Sequence, residues 1–272
     1  MKLFISVDME GVSGVYKREQ TVTLNKDWEA ARKLMTEEVN SAVEGAMEAG
    51  VTDVTICDAH SSGENLIIEM LKPNCSIVRT GFKPLCMMEG IDSSMSAVFL
   101  LGYHAKAGAS NATLPHTYYG KIVHEVKING TLFGETALNS ALAGHYGVPI
   151  VLVSGDQTLC AEARRFIPKI TAFCSKTALS GLAAKIPVPQ VIKEKLRKAA
   201  KIAIEQRKIV KPFSVKTPIV FEVTYNAPRW TDAACLIPWI KRISSRKIRF
   251  KCDDFKSAYS AFRSTLALCS TI

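Results

Sequence analysis

Residues 2–10 of this chain read KLFISVDME, an apolar run that ends at once in two carboxylates. Two later apolar runs also end in side chains of the kind that ligate metals. The three sets are Asp8 and Glu10 after residues 2–7, Asp58 and His60 after residues 54–57, and His104 after residues 97–101. In an open parallel α/β sheet the carboxyl ends of the strands line one crevice, so side chains about fifty positions apart can meet there. The pattern predicts a metal site at the strand ends of a parallel sheet.

The composition is typical of a globular protein that works in water. A chain of 272 residues with 47% hydrophobic content can bury one substantial core. No stretch approaches the roughly 18 to 20 apolar residues that a membrane span needs, so we expect no membrane partner. The first apolar run stops at Asp8 and has no small-residue cleavage site, which indicates a strand and not a signal peptide. We therefore expect a cytoplasmic protein, whose eight dispersed cysteines are reduced thiols.

The net charge of +10 is unevenly distributed along the chain. Residues 185–272 hold 19 Lys and Arg against 6 Asp and Glu, whereas residues 1–184 hold 16 against 19. This asymmetry predicts a catalytic α/β domain over residues 1–184 and a basic α+β region over residues 185–272. A nucleic-acid-binding surface on the basic region is one hypothesis, because clustered cations bind phosphates. No recognisable RNA or DNA motif accompanies them, so we favour a solvated or subunit-facing surface and expect no nucleic-acid partner.

Strand and helix patterns alternate along most of the chain, which favours a mostly parallel sheet with flanking helices. The predicted strands are 2–7, 51–57, 76–78, 97–101, 122–128, 149–153, 219–224 and 247–250. An Asn129-Gly130 turn after residue 128 predicts a hairpin, because both positions tolerate positive φ. The first predicted helix begins at an Asp27 N-cap and is stopped by Gly50. The other predicted helices cover residues 65–71, 85–91, 136–146, a stretch from 158, 191–207 and 253–268.

Five short motifs, in order and over nearly the whole chain, resemble the family of DppA-type zinc D-aminopeptidases. They are SVDMEG at 6–11, DAHS at 58–61, LLGYHA at 100–105, GE at 134–135 and VSGD at 153–156. The resemblance implies two zinc ions per subunit, with Asp8 bridging them. It also implies His116 as the catalytic side chain, and a homo-oligomer of ten subunits in two stacked rings of five. The remaining implied zinc ligands are Glu10, His60, His104 and Glu135.

The chemistry of these residue types leads to the same kind of site. Zinc takes imidazole nitrogen and carboxylate oxygen, and two imidazoles with three carboxylates suffice for two ions if one carboxylate bridges. Glu135 lies at a predicted helix start, where a negative charge is favoured. Two cations would hold and deprotonate a shared water and polarise a scissile carbonyl. We expect an aminopeptidase that removes the N-terminal residue of short peptides, with D-amino-acid peptides among its candidate substrates.

The sequence alone leaves open the roles of the residues that are not implied zinc ligands. His116 could transfer a proton, hydrogen-bond the developing oxyanion or, less attractively, attack directly. Asp156 is a candidate for binding the α-amine of the substrate. Asp58 is expected to support the site without ligating a metal. His124 and His145 are expected to be structural.

Two other functions compete with the aminopeptidase, namely a two-metal phosphoesterase and the basic nucleic-acid-binding protein considered above. A two-metal phosphoesterase would use the same carboxylates and histidines, but the site loops carry few cations to clamp a phosphate, and Lys106 is the nearest. A dinucleotide-binding oxidoreductase is disfavoured because residues 8–14 read DMEGVSG where such an enzyme has a glycine-rich G-x-G-x-x-G loop.

Overall fold

The computed structural model describes residues 1–272 and contains two β-sheets and six α-helices. The strands are β1 Lys2–Val7, β2 Asp53–Asp58, β3 Cys75–Val78, β4 Ala97–Leu101, β5 Val123–Ile128, β6 Thr131–Leu132, β7 Ile150–Asp156, β8 Thr171–Ser180, β9 Ala183–Lys185, β10 Ile219–Tyr225, β11 Lys241–Ser244 and β12 Lys247–Cys252. The helices are α1 Lys26–Glu48, α2 Glu135–His145, α3 Gln157–Phe166, α4 Pro189–Glu205, α5 Pro228–Ala234 and α6 Phe255–Cys269. None of the helices is long and apolar enough to cross a membrane.

The first sheet has the strand order β3-β2-β1-β4-β7-β8-β9 and is parallel except for β9. Every residue of β4 and β7 is buried, as expected for strands covered on both faces. After β1 the chain builds β2 and β3 on one side and then returns to add β4 on the other. The strand order therefore reverses between β1 and β4, and a crevice forms outside the carboxyl ends of these two strands. The predicted fold class, a mostly parallel α/β core with flanking helices, is confirmed.

The second sheet is antiparallel, with the order β11-β12-β10-β5-β6. The predicted hairpin is confirmed as β5 and β6, and its turn residues Asn129 and Gly130 have φ values of 50° and 81°. This sheet combines β5 and β6 with three strands from beyond residue 185. The division into domains 1–184 and 185–272 stays a prediction, and one sheet takes strands from both segments.

Two predicted helices are wrong. Residues 65–71 and 85–91 each contain only a single 3-10 turn, at Ile68–Met70 and Cys86–Met88. In the first, the Asp58 carboxylate accepts hydrogen bonds from the backbone N–H groups of Asn65 and Leu66, which holds the chain in a loop. In the second, Cys86 has a φ of 51°, a left-handed conformation that does not continue a right-handed helix.

Other boundaries differ by a few residues. Helix α1 is capped by Asn25, whose side chain accepts from the N–H of Asp27, so Asp27 lies in the first turn and is not the N-cap. Strand β7 runs on to Asp156, three residues past its predicted end. The structure also contains elements that were not predicted, namely β8, β9, β11 and α5.

Candidate metal centre

All six sequence-predicted site residues converge on the crevice between β1 and β4. Asp8 and Glu10 follow β1, His60 follows β2, His104 follows β4, Glu135 opens α2, and His116 lies in the loop before β5. Five of them are buried, with exposed fractions between 2% and 9%. His116 is partly buried, with 26% of its side chain exposed. Positions far apart in sequence therefore contribute to one cluster because parallel strands end at the same edge.

Asp8 lies at the centre of the cluster. Its Oδ1 is 3.0 Å from Nδ1 of His60, and its Oδ2 is 3.5 Å from Nε2 of His104. Each carboxylate oxygen therefore faces a different imidazole. This geometry suits a carboxylate that bridges two cations, one on either side.

The remaining carboxylates divide between the two sides of Asp8. On one side Glu10 Oε2 is 3.1 Å from His60 Nδ1. On the other, Glu135 Oε1 is 3.3 Å from His104 Nε2 and 3.9 Å from His116 Nε2. Ligand-type atoms of two sets lie within 4.8 Å of one another, so each set could hold an ion. The sets are Asp8, Glu10 and His104, and His104, His116 and Glu135.

Each histidine of the cluster has one ring nitrogen fixed by a main-chain carbonyl. His60 Nε2 donates to Thr21 O at 2.8 Å, His104 Nδ1 to Ala105 O at 3.0 Å, and His116 Nδ1 to Leu114 O at 3.0 Å. Because a carbonyl can only accept, the proton stays on that nitrogen in the neutral ring. The other nitrogen then faces the carboxylates and, once the ring is neutral, offers its lone pair to a cation between them, as in metal-ligating histidines oriented by a second hydrogen bond.

The backbone brings the ends of β1 and β4 into close contact. Gly11 N donates to Gly102 O at 2.7 Å, and Asp8 N donates to Leu101 O at 2.8 Å. A Cβ atom on Gly102 would lie 2.1 Å from the carbonyl oxygen of Asp8, and its φ is 67°. Only glycine fits this conformation and this approach, which places Asp8 beside His104.

Burial and mutual charge shift the pKa values of the cluster in the metal-free protein. Burial and the neighbouring Glu10 raise the pKa of Asp8 to about 6. Burial would raise the pKa of Glu10, but the charges of the facing histidines outweigh it and hold that pKa well below its usual range. For His104, burial acts to lower the pKa, yet Glu135, Asp8 and Glu10 raise it to about 10. The three buried carboxylates thus stabilise the protonated, positively charged form of the histidine beside them.

The donor set fits divalent cations. Glu10 Oε2 and His104 Nε2 are buried and have no hydrogen-bond partner, although nearly all buried polar atoms in native proteins have one. Both atoms face the cluster. Imidazole nitrogens and carboxylate oxygens are the ligands that zinc takes, and two ions would satisfy these unpaired groups.

Other predicted residues lie outside the cluster. The Asp58 carboxylate is used by backbone N–H groups and by Asn65 Nδ2 at 2.8 Å, so it shapes the loop that follows β2. Asp156 is the N-cap of α3 and also accepts from Thr113 N at 2.7 Å, and it does not line the cavity. Nothing in its position supports the predicted contact with a substrate amine.

Lys176 is a buried residue beside the site that was absent from the sequence prediction. It lies on β8, is 2% exposed, and its Nζ donates to the carbonyl oxygens of Glu10, Val12 and Val15. Ser175 Oγ also donates to Gly11 O at 2.7 Å. A signal was available, because Lys176 is the only charged residue in the segment 170–184.

A cavity of about 1110 Å³ opens onto the cluster. Asp8, Glu10, His60, His116 and Glu135 line one end of it. Much of the remaining lining comes from the 18–23 segment, residues 114–124 and helix α6. The volume is enough for a short peptide.

Comparison with known proteins agrees with this geometry. A sequence model of the D-aminopeptidase family matches residues 1–264. A D-aminopeptidase of Bacillus subtilis strain 168 is 31% identical over 262 residues, covering 96% of this chain and 95% of the relative. A solved structure described as the Zn-dependent D-aminopeptidase DppA from Bacillus subtilis, a self-compartmentalizing protease, superposes with a TM-score of 0.96 at 30% identity, covering 100% of this chain and 99% of that one. The predicted family resemblance is thereby confirmed, and the chain belongs to the D-aminopeptidase family.

Proposed function

We propose that this protein is a zinc-dependent aminopeptidase that removes the N-terminal residue of short peptides, including peptides of D-amino acids. The observation that carries the proposal is the orientation of three histidines, each fixed at one ring nitrogen by a main-chain carbonyl and aimed with the other at buried carboxylates. Family membership supplies the reaction class.

The proposed ligands divide into two sites that share Asp8. Glu10 and His60 would hold one zinc ion and His104 and Glu135 the other, and Asp8 faces both pairs. When bound, the two ions polarise the scissile carbonyl and lower the pKa of water. The protein contributes buried, fixed donor side chains and an opening toward the cavity.

His116 is proposed to move a proton at its Nε2. Its Nδ1 is fixed by Leu114 O, and its ring is stacked on the His104 ring with 3.9 Å between centroids. The Nε2 atom is 3.9 Å from Glu135 Oε1 and reaches the cavity, where a peptide bond would lie. A general acid or base at this position can accept a proton from the attacking water and donate it to the leaving amine.

A homo-oligomer of two stacked five-membered rings is the proposed assembly. The relative described as self-compartmentalizing supports it. Several large apolar side chains are exposed and are available to pack against another subunit. They include Leu179, Leu182, Val188, Leu236 and Trp239. Sedimentation at micromolar concentration tests this part, and a monomer would contradict it while leaving the chemistry intact.

The direct test of the function is metal analysis paired with aminoacyl amides in L and D forms. We expect about two zinc ions per subunit and hydrolysis that stops after chelation and returns with zinc. Phosphoester reporters serve as the control for the competing hypothesis. Turnover of phosphoesters without turnover of amides would reverse the assignment. Lys106, the nearest predicted phosphate-binding residue, does not line the cavity.

A further inference from the structure

The charges that line the cavity are separated by sign. The only acidic residues in the lining are Asp8, Glu10 and Glu135, all at the metal end. The cations in the lining lie elsewhere and are Arg18, Lys121 and Arg263. The charged side chains in the rest of the lining are therefore all cationic. A substrate that extends from the metals into this space meets no negative side chain.

Arg263 on α6 differs from the other two cations because it is partly buried, although none of the three makes an ion pair with a carboxylate. Its Nε is buried and makes no hydrogen bond. No carboxylate lies within 4.0 Å of its guanidinium. Arg18 and Lys121 are exposed, so water can solvate their charges. A partly buried guanidinium without a counterion is costly for a protein, because desolvation of the charge is not compensated.

The groups around the guanidinium are neutral near pH 7. Tyr118 lies beneath it, with the guanidinium carbon 5.8 Å from the ring centroid. The titratable groups beside it include a thiol and two phenols whose pKa values are raised by burial, so all three are protonated at that pH. They are Cys86, Tyr118 and Tyr259. The protein itself therefore supplies no negative charge to this arginine.

Tyr118 connects the arginine to the metal end of the cavity. Its backbone N–H donates to Glu135 Oε1 at 2.6 Å, and the Arg263 guanidinium lies over its ring. Its hydroxyl is held by the Tyr259 hydroxyl at 2.5 Å. Tyr118 therefore contacts both Glu135, a proposed zinc ligand, and Arg263. A peptide of two or three residues spans roughly 7 to 11 Å when extended, so its C-terminal end lies in the cavity beyond the metal centre when its N-terminal residue lies at the metals.

We propose that Arg263 binds the C-terminal carboxylate of a di- or tripeptide whose N-terminal residue lies at the metal centre. The planar guanidinium donates two parallel hydrogen bonds to a carboxylate, which supplies the missing counterion. The subsite makes the enzyme selective for short peptides with a free carboxyl end over amides of the same sequence. This inference rests on the proposed function.

The test compares D-alanyl-glycine with D-alanyl-glycinamide, which differ only in the terminal charge. For the wild-type zinc enzyme we expect the free acid to have a KM about 10- to 100-fold lower than the amide. In Arg263→Met this preference disappears, because the KM of the acid rises toward that of the amide. Arg263→Lys keeps the charge but loses the bidentate geometry, and we expect it to retain part of the preference. The matched control is Lys121→Met, which removes an exposed cation of the same cavity and should keep the full preference.

The outcomes separate this inference from the proposed function. Equal KM values for acid and amide in the wild type, or an intact preference in Arg263→Met, would overturn the subsite and leave the aminopeptidase standing. Hydrolysis of neither compound by the zinc-loaded enzyme would refute both. Thermal unfolding and zinc content are measured for each variant. If Arg263→Met does not fold, an undiminished preference in Arg263→Lys overturns the proposal, and a reduced one supports it.

Discussion

The Nζ of Lys176 donates a hydrogen bond of 2.5 Å to the main-chain carbonyl of Glu10 and so joins β8 to the loop that carries a proposed zinc ligand. The same ammonium also binds the carbonyls of Val12 and Val15. Burial lowers the pKa of Lys176 to about 8, against the opposing effect of Glu38. The lysine therefore remains mostly charged near pH 7. A buried charge with three carbonyl acceptors fixes the course of this loop.

Replacing Lys176 by methionine should loosen the loop and weaken one zinc ion more than the other. Three buried carbonyls would lose their donor, so we expect the free energy of unfolding to fall by about 2 to 5 kcal/mol. Chelator competition measures the two zinc affinities, and the ion held by Glu10 and His60 should be released first. Lys169→Met, at an exposed position, is the control and should change neither quantity. Equal weakening of both ions in Lys176→Met would mean that the effect is only general destabilisation.

His116→Ala should abolish most turnover while both zinc ions stay bound. Loss of a general acid or base costs roughly 10²- to 10⁴-fold in rate, and this histidine is the most exposed member of the cluster. Initial rates and elemental analysis on the same preparation provide the measurement. His124→Ala removes another histidine that lines the cavity and should leave the rate unchanged. Full activity in His116→Ala would remove this residue from the mechanism.

Substitution of the carboxylates should separate a bridging ligand from a terminal one. Asp8 faces both His60 and His104, so Asp8→Ala should lower the content of both zinc ions and eliminate hydrolysis. Glu135 contacts only the side with His104, so Glu135→Ala should reduce the content by about one ion per subunit. Elemental analysis after gel filtration checks both. Unchanged stoichiometry in Glu135→Ala would exclude it as a ligand.

Zinc binding should release protons and strengthen as the pH rises. In the metal-free protein the pKa of His104 is raised to about 10 and that of His60 lies well above its usual value, in both cases by facing carboxylates that outweigh the opposing effect of burial. Both imidazoles are therefore protonated at pH 7, and a cation must displace those protons. Calorimetry in buffers with different ionisation enthalpies counts the protons, and we expect roughly two for two zinc ions. Binding without proton release would contradict these pKa shifts.

The same shifts fix the pH dependence of the metal-free fold. The folded-state pKa of His104 is raised above its unfolded value of about 6.5, so its contribution to stability is complete below pH 6.5. That contribution is lost as the pH rises toward 10. The loss from His104 and His60 should exceed the opposite contribution of Lys176, whose pKa burial lowers to about 8, so urea unfolding of the chelated protein should show lower stability at pH 9.5 than at pH 6.5. His104→Gln should reduce this difference.

The ligand positions could be predicted because a simple rule governs them. Asp8, His60 and His104 each follow a short apolar strand, and parallel strands deliver their ends to one edge. The flanking loops could not be predicted in the same way. Asp58 holds the following loop out of a helix, and the Cys86 backbone is left-handed, and neither feature has a periodic pattern. Contacts between a side chain and a distant main-chain atom, such as His60 Nε2 with Thr21 O, have no sequence signal of their own.

The antiparallel sheet can be completed only after its C-terminal strands have been synthesised. Strand β5 ends at Ile128 and its neighbour β10 begins at Ile219, so roughly 90 residues, or about 5 to 18 s of translation at 5 to 20 residues per second, separate the two strands on the ribosome. During that interval one edge of β5 remains open to other nascent chains. Closely spaced ribosomes on one messenger RNA would therefore favour mispairing of this strand, and slower initiation would favour the native sheet.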